Sequence, residues 1–148
     1  MNLRRASLDE LAAIVAVDRE AIALINREAI APAQPRTGWL RRRIDRGECV
    51  VAAVDGALAG FIIDDDAFFD RTFIRLVAVA NQHRRHGVAN ALVADAESRA
   101  RTPTVFSSSN RSNTAMHALL RKRGWVESGV IEGLDELDPE IVFRKRVR

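Results

Sequence analysis

The 148-residue chain has a single cysteine, Cys49, which excludes both an internal disulfide and a cysteine-rich metal site. No apolar run approaches the ~20 residues that cross a bilayer as a helix. The first ten residues, MNLRRASLDE, lack an apolar signal-peptide core, so the expectation is a soluble, cytoplasmic protein. Internal repeats, low-complexity tracts and linkers are absent. So are both common phosphate-binding fingerprints, GxGxxG and the Walker pattern GxxxxGK followed by Ser or Thr. Two of the three histidines, His83 and His86, share one loop and the third, His117, falls on a helix. That is no ligand set, and no metal is expected. Trp39 and Trp125 read as core or rim residues rather than a base-stacking platform.

What is present is a hydrophobic fraction of 47%, too high for a disordered chain. The length fits one domain, residues 1–148, able to bury a core without staples. The net charge of +3, carried largely by arginine, permits an anionic partner without naming one. NLRRA can form a first strand. In SLDE, Ser7 and Glu10 make a capping box, followed by Leu8, Leu11, Ala12 and Val15 at helical spacing. A second helical stretch, AIALINREA, breaks at Pro32 and Pro35. TGWLRRRIDRG reads as a helix capped by Thr37 and stopped by Gly47. Cys49, a small hydrophobe at a strand start, precedes two strands joined by Asp55-Gly56, a hairpin signal. DDAFFDR reads as a turn and TFIRLVAVA as a central strand. A helix follows from about Val88 to Arg101, with Ala89, Leu92, Val93 and Ala96 as its stripe. TVFSS is a strand, and SNTAMHALLRKRG a helix capped by Ser112 or Asn113 and stopped by Gly124. On that helix Met116, Leu119 and Leu120 claim the buried stripe, which puts His117 on the surface. WVESGVIEG and EIVFRKRV are the last strands, separated by the acidic loop LDELDP. The result is an α/β chain with a mixed sheet and one parallel crossover.

The junction NQHRRHGVANALV, residues 81–93, carries more positive charge than a strand-to-helix turn requires. A helix N-terminus presents amides without intrahelical partners and the positive end of the dipole, which together attract anions. Gly87 has no Cβ to obstruct an oxygen ligand, and Arg84 and Arg85 can grip phosphates bidentately. The junction is a candidate pyrophosphate cradle, or else a solvated basic turn.

Arg84-Arg85-His86-Gly87-Val88-Ala89 matches the pattern Gln/Arg-x-x-Gly-x-Gly/Ala of the GNAT superfamily of acyl-CoA-dependent N-acyltransferases. It follows an apolar strand ending LVAV and opens a helix. Downstream, the stretch from Asn113 through a short amphipathic helix to Gly124-Trp125 resembles the family's second motif. The order of elements along nearly the whole chain is similar to that of small bacterial members. The resemblance implies a mostly antiparallel central sheet of about seven strands with a parallel splayed pair, and about four helices. It also implies acetyl-CoA as co-substrate, bound by backbone groups around Val77, Ala78 and Val79. The amides of Arg85, His86, Gly87, Val88 and Ala89 would take the pyrophosphate with Arg84, and Asn113 and Met116 would line the other wall. The implied activity is direct acetyl transfer to the primary amine of a small molecule or peptide, in a possible homodimer and without a membrane.

The sequence departs from the family at two places. The tyrosine that protonates the departing thiolate would fall at Leu120, and the chain contains no tyrosine at all. The family's glutamate base would fall near Phe73. The catalytic candidates that remain are Glu140, Ser108 and Asp70. Asp64, Asp65, Asp66 and Asp70 flank the central strand and also read as turn acids. Ser107, Ser108 and Ser109 lie at a strand end, where their ordinary role is to satisfy backbone groups. Glu140, with Glu132, Asp135, Glu136 and Asp138, forms an acidic patch suited to a cationic amine or to plain solvation. The segment from Asn26 to Thr37 and this acidic loop are expected to shape the acceptor site, whose ligand the sequence does not name. Two rival readings are a GNAT-fold protein that binds acyl-CoA without catalysis and a basic nucleic-acid-binding module. The second rests on the arginine runs at 41–43, 84–85, 121–123 and the C-terminus, against which acids nearly balance the bases.

Overall fold

The computed structural model describes residues 1–25 and 36–148. The end of the expected AIALINREA helix, its break at Pro32 and Pro35, and most of the segment from Asn26 to Thr37 lie outside the described residues. The elements are β1 (Asn2–Arg5), α1 (Leu11–Ile25), α2 (Thr37–Asp45), β2 (Cys49–Val54), β3 (Ala57–Phe68), β4 (Arg71–Val79), α3 (Val88–Arg99), β5 (Thr104–Asn110), α4 (Thr114–Lys122), β6 (Val126–Ile131) and β7 (Glu140–Arg146). The seven strands form one sheet in the order β1-β2-β3-β4-β5-β7-β6. The β4–β5 pair is parallel, and the β1–β2, β2–β3, β5–β7 and β6–β7 pairs are antiparallel. This is the mixed α/β sheet that the element order implies. By contact density the chain forms two compact units, Met1–Asp64 with Leu76–Asp95, and Asp65–Arg75 with Ala96–Arg148.

In the first unit, α1 and α2 lay Ile14, Val17, Leu40 and Ile44 on Cys49, Val51, Phe61, Ile63, Ala78 and Ala80. Each large side chain so buried is worth ~1.5–3 kcal/mol relative to exposure. Of the expected stripe Leu8, Leu11, Ala12 and Val15, Leu11 and Val15 do pack against this core, whereas Leu8 and Ala12 are exposed. Leu8 is 42% exposed while Ile14 and Val17 are sealed, because a short 3-10 turn over Leu8–Glu10 precedes the helix. Its tighter winding shifts the phase of the face that follows. The capping box does form, with the Ser7 N–H donating to Glu10 at 3.0 Å. Thr37 is the first residue of α2 rather than its cap. Arg36 holds the cap position and donates through Nε and a terminal nitrogen to Asp18, at 2.9 and 2.8 Å. The hairpin at Asp55-Gly56 forms as expected, with φ of 51° and 79°, the left-handed pair of a type I′ turn. Gly60 permits a close approach. A Cβ there would lie 2.7 Å from the Ala78 carbonyl oxygen and 3.0 Å from a Val88 methyl.

In the second unit, the expected turn DDAFFDR is mostly strand. β3 continues to Phe68, and the reversal is made by Phe69 and Asp70 at φ of 49° and 59°. The acids before it are cross-strand partners rather than turn residues. Asp65 accepts two bonds from Arg75, at 2.7 and 3.1 Å, and Asp66 accepts from the Thr72 hydroxyl at 2.8 Å. Such pairing lets a run of like charge sit in a strand. Glu97 of α3 ties the unit together. Its carboxylate accepts from Arg123 at 2.6 and 3.1 Å, from the Trp125 indole at 2.8 Å and from Lys145 at 3.2 Å. Among the described residues no helix is long and apolar enough to cross a membrane.

Candidate functional site

The loop between β4 and α3 is held at its root. The Ala80 N–H donates to the Ala59 carbonyl at 2.8 Å, and the Asn81 N–H to the Glu20 carboxylate at 2.7 Å. The chain then turns left-handed at Arg85, φ 63°, and again at Gly87, φ 78°. Left-handed backbone costs a non-glycine residue roughly 1–2 kcal/mol, so Arg85 is held there by its surroundings. The Gly87 carbonyl accepts the first helical bond of α3, from Ala91 at 3.0 Å. The first-turn amides therefore point outward without intrahelical partners. Among the described residues nothing lies within 4 Å of where a Gly87 Cβ would stand.

Arg84 is half-buried, and among the described residues its Nε is sealed from solvent without a protein partner, as is Nε2 of His83. Arg85 and His86 are exposed. A buried guanidinium nitrogen without an acceptor is costly, and a phosphate oxygen would supply the acceptor. Val88 and Ala78 are 2% exposed, so their side chains belong to the interior and only their backbones can serve a ligand. Val77, Val79 and Ala89 are half-buried.

In the second unit, Asn113 is the cap of α4. Its side-chain oxygen accepts from the Met116 N–H at 3.2 Å, leaving the amide nitrogen as its outward donor. His117 is not on the surface face. It is 6% exposed, with Nε2 buried and without a partner among the described residues, and its ring lies 5.1 Å from that of Phe143. The buried stripe of α4 is His117 and Leu120, while Met116 and Leu119 are half-buried. Leu120, where the family has its tyrosine, is fully buried.

The β5–β7 ladder brings two of the catalytic candidates together. The Ser108 hydroxyl donates to Oε1 of Glu140 at 2.8 Å. Ser107 instead donates to the Ile74 carbonyl at 3.1 Å, the backbone role expected of it. Asp70 does not join them. It lies in the exposed β3–β4 turn, three residues before Phe73, which pairs with Phe106; that leaves it roughly 16 Å from Ser108 along the strands. The acidic loop is only partly free for an amine. Asp138 accepts from both the N–H and the hydroxyl of Ser112, and the hydroxyl bond holds its carboxyl below the usual range. Glu132, Asp135 and Glu136 are exposed.

The sequence model of acetyltransferases described as the GNAT family matches residues 19–125. The chain belongs to this family. An acetyltransferase of the GNAT family from Bacillus cereus is 36% identical with a TM-score of 0.86, covering 98% of this chain and 96% of that one. Two further structures share the fold. One is an acetyltransferase from Salmonella typhimurium with its cofactor acetyl-CoA, 18% identical, TM-score 0.77, covering 100% and 94% of the two chains. The other is the PaiA N-acetyltransferase of Thermoplasma acidophilum in complex with coenzyme A, 16% identical, TM-score 0.79, covering 98% of each. No curated protein matches the chain.

For a member of this family, Cys49 is chemically idle. Burial, with the charges of Glu10 and Asp64, pushes its thiol up to about 12, so it supplies no thiolate near neutral pH. Sequence reasoning missed the Ser108–Glu140 bond, the buried His117 and the Glu97 junction. The first was within reach, since TVFSSSN and EIVFRKR alternate as strands and a β5–β7 pairing puts Ser108 and Glu140 on one face. The others depend on which helix face is buried.

Proposed function

We propose that this chain is an acetyl-CoA-dependent N-acetyltransferase that moves the acetyl group directly to a primary amine, with residues 1–148 acting as one GNAT-like domain. The observation that carries the reading is the loop from Arg84 to Ala89, where, among the described residues, a partnerless Arg84 Nε, outward amides and open space over Gly87 fit a pyrophosphate. Backbone groups of Val77 and Val79 would bond the pantetheine arm. Glu140 is the proton acceptor in this reading. Ser108 fixes one carboxylate oxygen and the other is left to the ammonium of the acceptor. The freed amine attacks the thioester carbonyl carbon, the C–S bond breaks, and the acetyl group ends on nitrogen. Leu120 supplies no proton to the departing sulfur. A thiol with an ordinary pKa of ~8.5 leaves tolerably as thiolate near neutral pH; the nitrogen sheds its second proton to water as the amide forms, and water protonates the thiolate.

The arginine runs do not favour a nucleic-acid module. Arg43 pairs with Glu48 at 2.8 Å, Arg121 with Glu127, and Arg123 with Glu97. A hundredfold excess of CoA over its dissociation constant should stabilise the protein by ~2.7 kcal/mol, a melting shift of roughly 5–10 °C at this size. Arg84→Ala should weaken CoA about tenfold or more and leave dephosphorylated pantetheine unaffected, since one charge-assisted bond is worth ~1.5–3 kcal/mol. Gly87→Val should lose most of the shift. Absence of any shift in the parent protein with millimolar CoA would overturn the reading. Steady-state CoA release with a panel of amines distinguishes an enzyme from a protein that only binds.

A further inference from the structure

The antiparallel β5–β7 ladder sets Thr104 opposite Arg146, Phe106 opposite Arg144, Ser108 opposite Val142 and Asn110 opposite Glu140. Directly opposed residues share a face, so these side chains line one surface in that order. Lys145 alternates to the other face, where it meets Glu97. Arg144 and Arg146 therefore stand side by side, roughly 7 Å apart at their Cα atoms, and both are exposed. Neither meets a carboxylate among the described residues. Arg144 donates to the Glu127 carbonyl at 3.1 Å and Arg146 to the Arg148 carbonyl at 2.9 Å. Most of each guanidinium's N–H donors are unspent.

The two arginines border an open groove of about 470 Å³ lined also by Thr104, Phe106, Gly124 and Val126. Its floor is apolar. The Phe106 ring packs on that of Phe68 at 5.3 Å, and Val126 is 50% exposed. Four residues along β7 from Arg144, on the same face, stands Glu140 with one oxygen held by Ser108. The face thus carries a carboxylate at one end, Val142 opposite Ser108 next to it, and a paired cation level with the apolar Phe106 at the other. The Glu140-to-Arg144 span is roughly 13 Å.

We infer that this groove holds the anionic end of a zwitterionic acceptor, a chain with an amine at one end, a carboxylate at the other and an apolar section between. The inference rests on the reading of Glu140 as the group that receives the amine. Charge complementarity fixes the orientation, with ammonium to Glu140 and carboxylate to the arginine pair, where a planar carboxylate can take bidentate bonds. A cationic far end would be repelled by the two guanidiniums, and an uncharged one would forgo the charge-assisted bonds.

Calorimetry and amide NMR titrations with ω-aminooctanoate, its carboxamide and octanoate test this on the full chain. The amino acid should bind at least tenfold more tightly than its carboxamide, the loss expected for one charge-assisted contact, and should shift the amides of Thr104, Phe106 and Arg144. The double variant Arg144→Gln, Arg146→Gln should abolish that preference, whereas Arg41→Gln on α2 should preserve it. Glu140→Gln should weaken ω-aminooctanoate and spare octanoate. Equal binding of acid and carboxamide, a preference that survives the double variant, or an equal response of ω-aminooctanoate and octanoate to Glu140→Gln would each overturn the inference. CoA-induced melting shifts on the same samples separate the two readings. A retained shift with no acid preference removes this inference alone, and a missing shift removes the acetyltransferase reading itself.

Discussion

Replacing Glu97 by Gln should destabilise the protein by about 2–4 kcal/mol. The side chain of Glu97 is 9% exposed and accepts from three donors on two segments, Arg123 and Trp125 in the α4–β6 junction and Lys145 on β7. Removing one partner of a buried charge cluster costs ~3–5 kcal/mol when the remaining charges are fully desolvated. Here Arg123 and Lys145 keep 19% and 24% exposure, so water softens the loss. The amide must also turn its NH2 toward one of the former donors. At about 2–4 °C per kcal/mol for a chain of this size, the melting point should fall by roughly 4–16 °C. Burial pushes the Glu97 carboxyl up, but the bonds from Arg123, Trp125 and Lys145 outweigh it and hold the group below the usual range. The folded state therefore binds this proton less readily than the unfolded chain. The stabilisation is full above the unfolded value of ~4.3 and is lost as pH falls through the lower folded value. Urea unfolding of parent and variant at pH 7, and again below pH 4, tests both parts. The deficit of the variant should be large at neutral pH and shrink on acidification. A deficit under 1 kcal/mol at neutral pH, or one that does not change with pH, would refute the reasoning.

His117→Leu should stabilise by ~1 kcal/mol, because it removes a buried, partnerless ring nitrogen beside Phe143 without emptying the site; denaturant midpoints would show the sign, and a loss would mean that Nε2 has a partner in solution. Gly60→Ala should destabilise by ~1–3 kcal/mol by overpacking against the Ala78 carbonyl and Val88, read by calorimetry; a neutral result would mean that this part of the sheet yields. Leu120→Met should keep turnover within about tenfold and cost under ~1.5 kcal/mol. Leu120→Tyr should destabilise by ~1–3 kcal/mol because the position is fully buried, and a faster turnover in a folded protein would show that the hydroxyl reaches the sulfur.

Most of the fold was legible in the chain because its signals are local. Asp55-Gly56 demands left-handed backbone wherever it occurs, Asn113 caps a helix with its own side chain, and the basic strand-to-helix turn at Arg84–Ala89 is visible in one short stretch. The family pattern rests on the same local stretches. What the sequence misjudged depends on partners far away in the chain. DDAFFDR looks like a turn until Arg75 pairs with Asp65 and the Thr72 hydroxyl donates to Asp66 across the strands. Leu8 looks buried until a 3-10 turn resets the phase of α1, and His117 looks exposed until Phe143 covers it. Ser108 and Glu140, 32 positions apart, became one site only because β7 pairs with β5, and the same pairing sorted a basic tail into one cation tied to Glu97 and two left facing a groove. Periodicity states which residues share a face. Only the packed sheet states which face is covered, and charge takes its meaning from that.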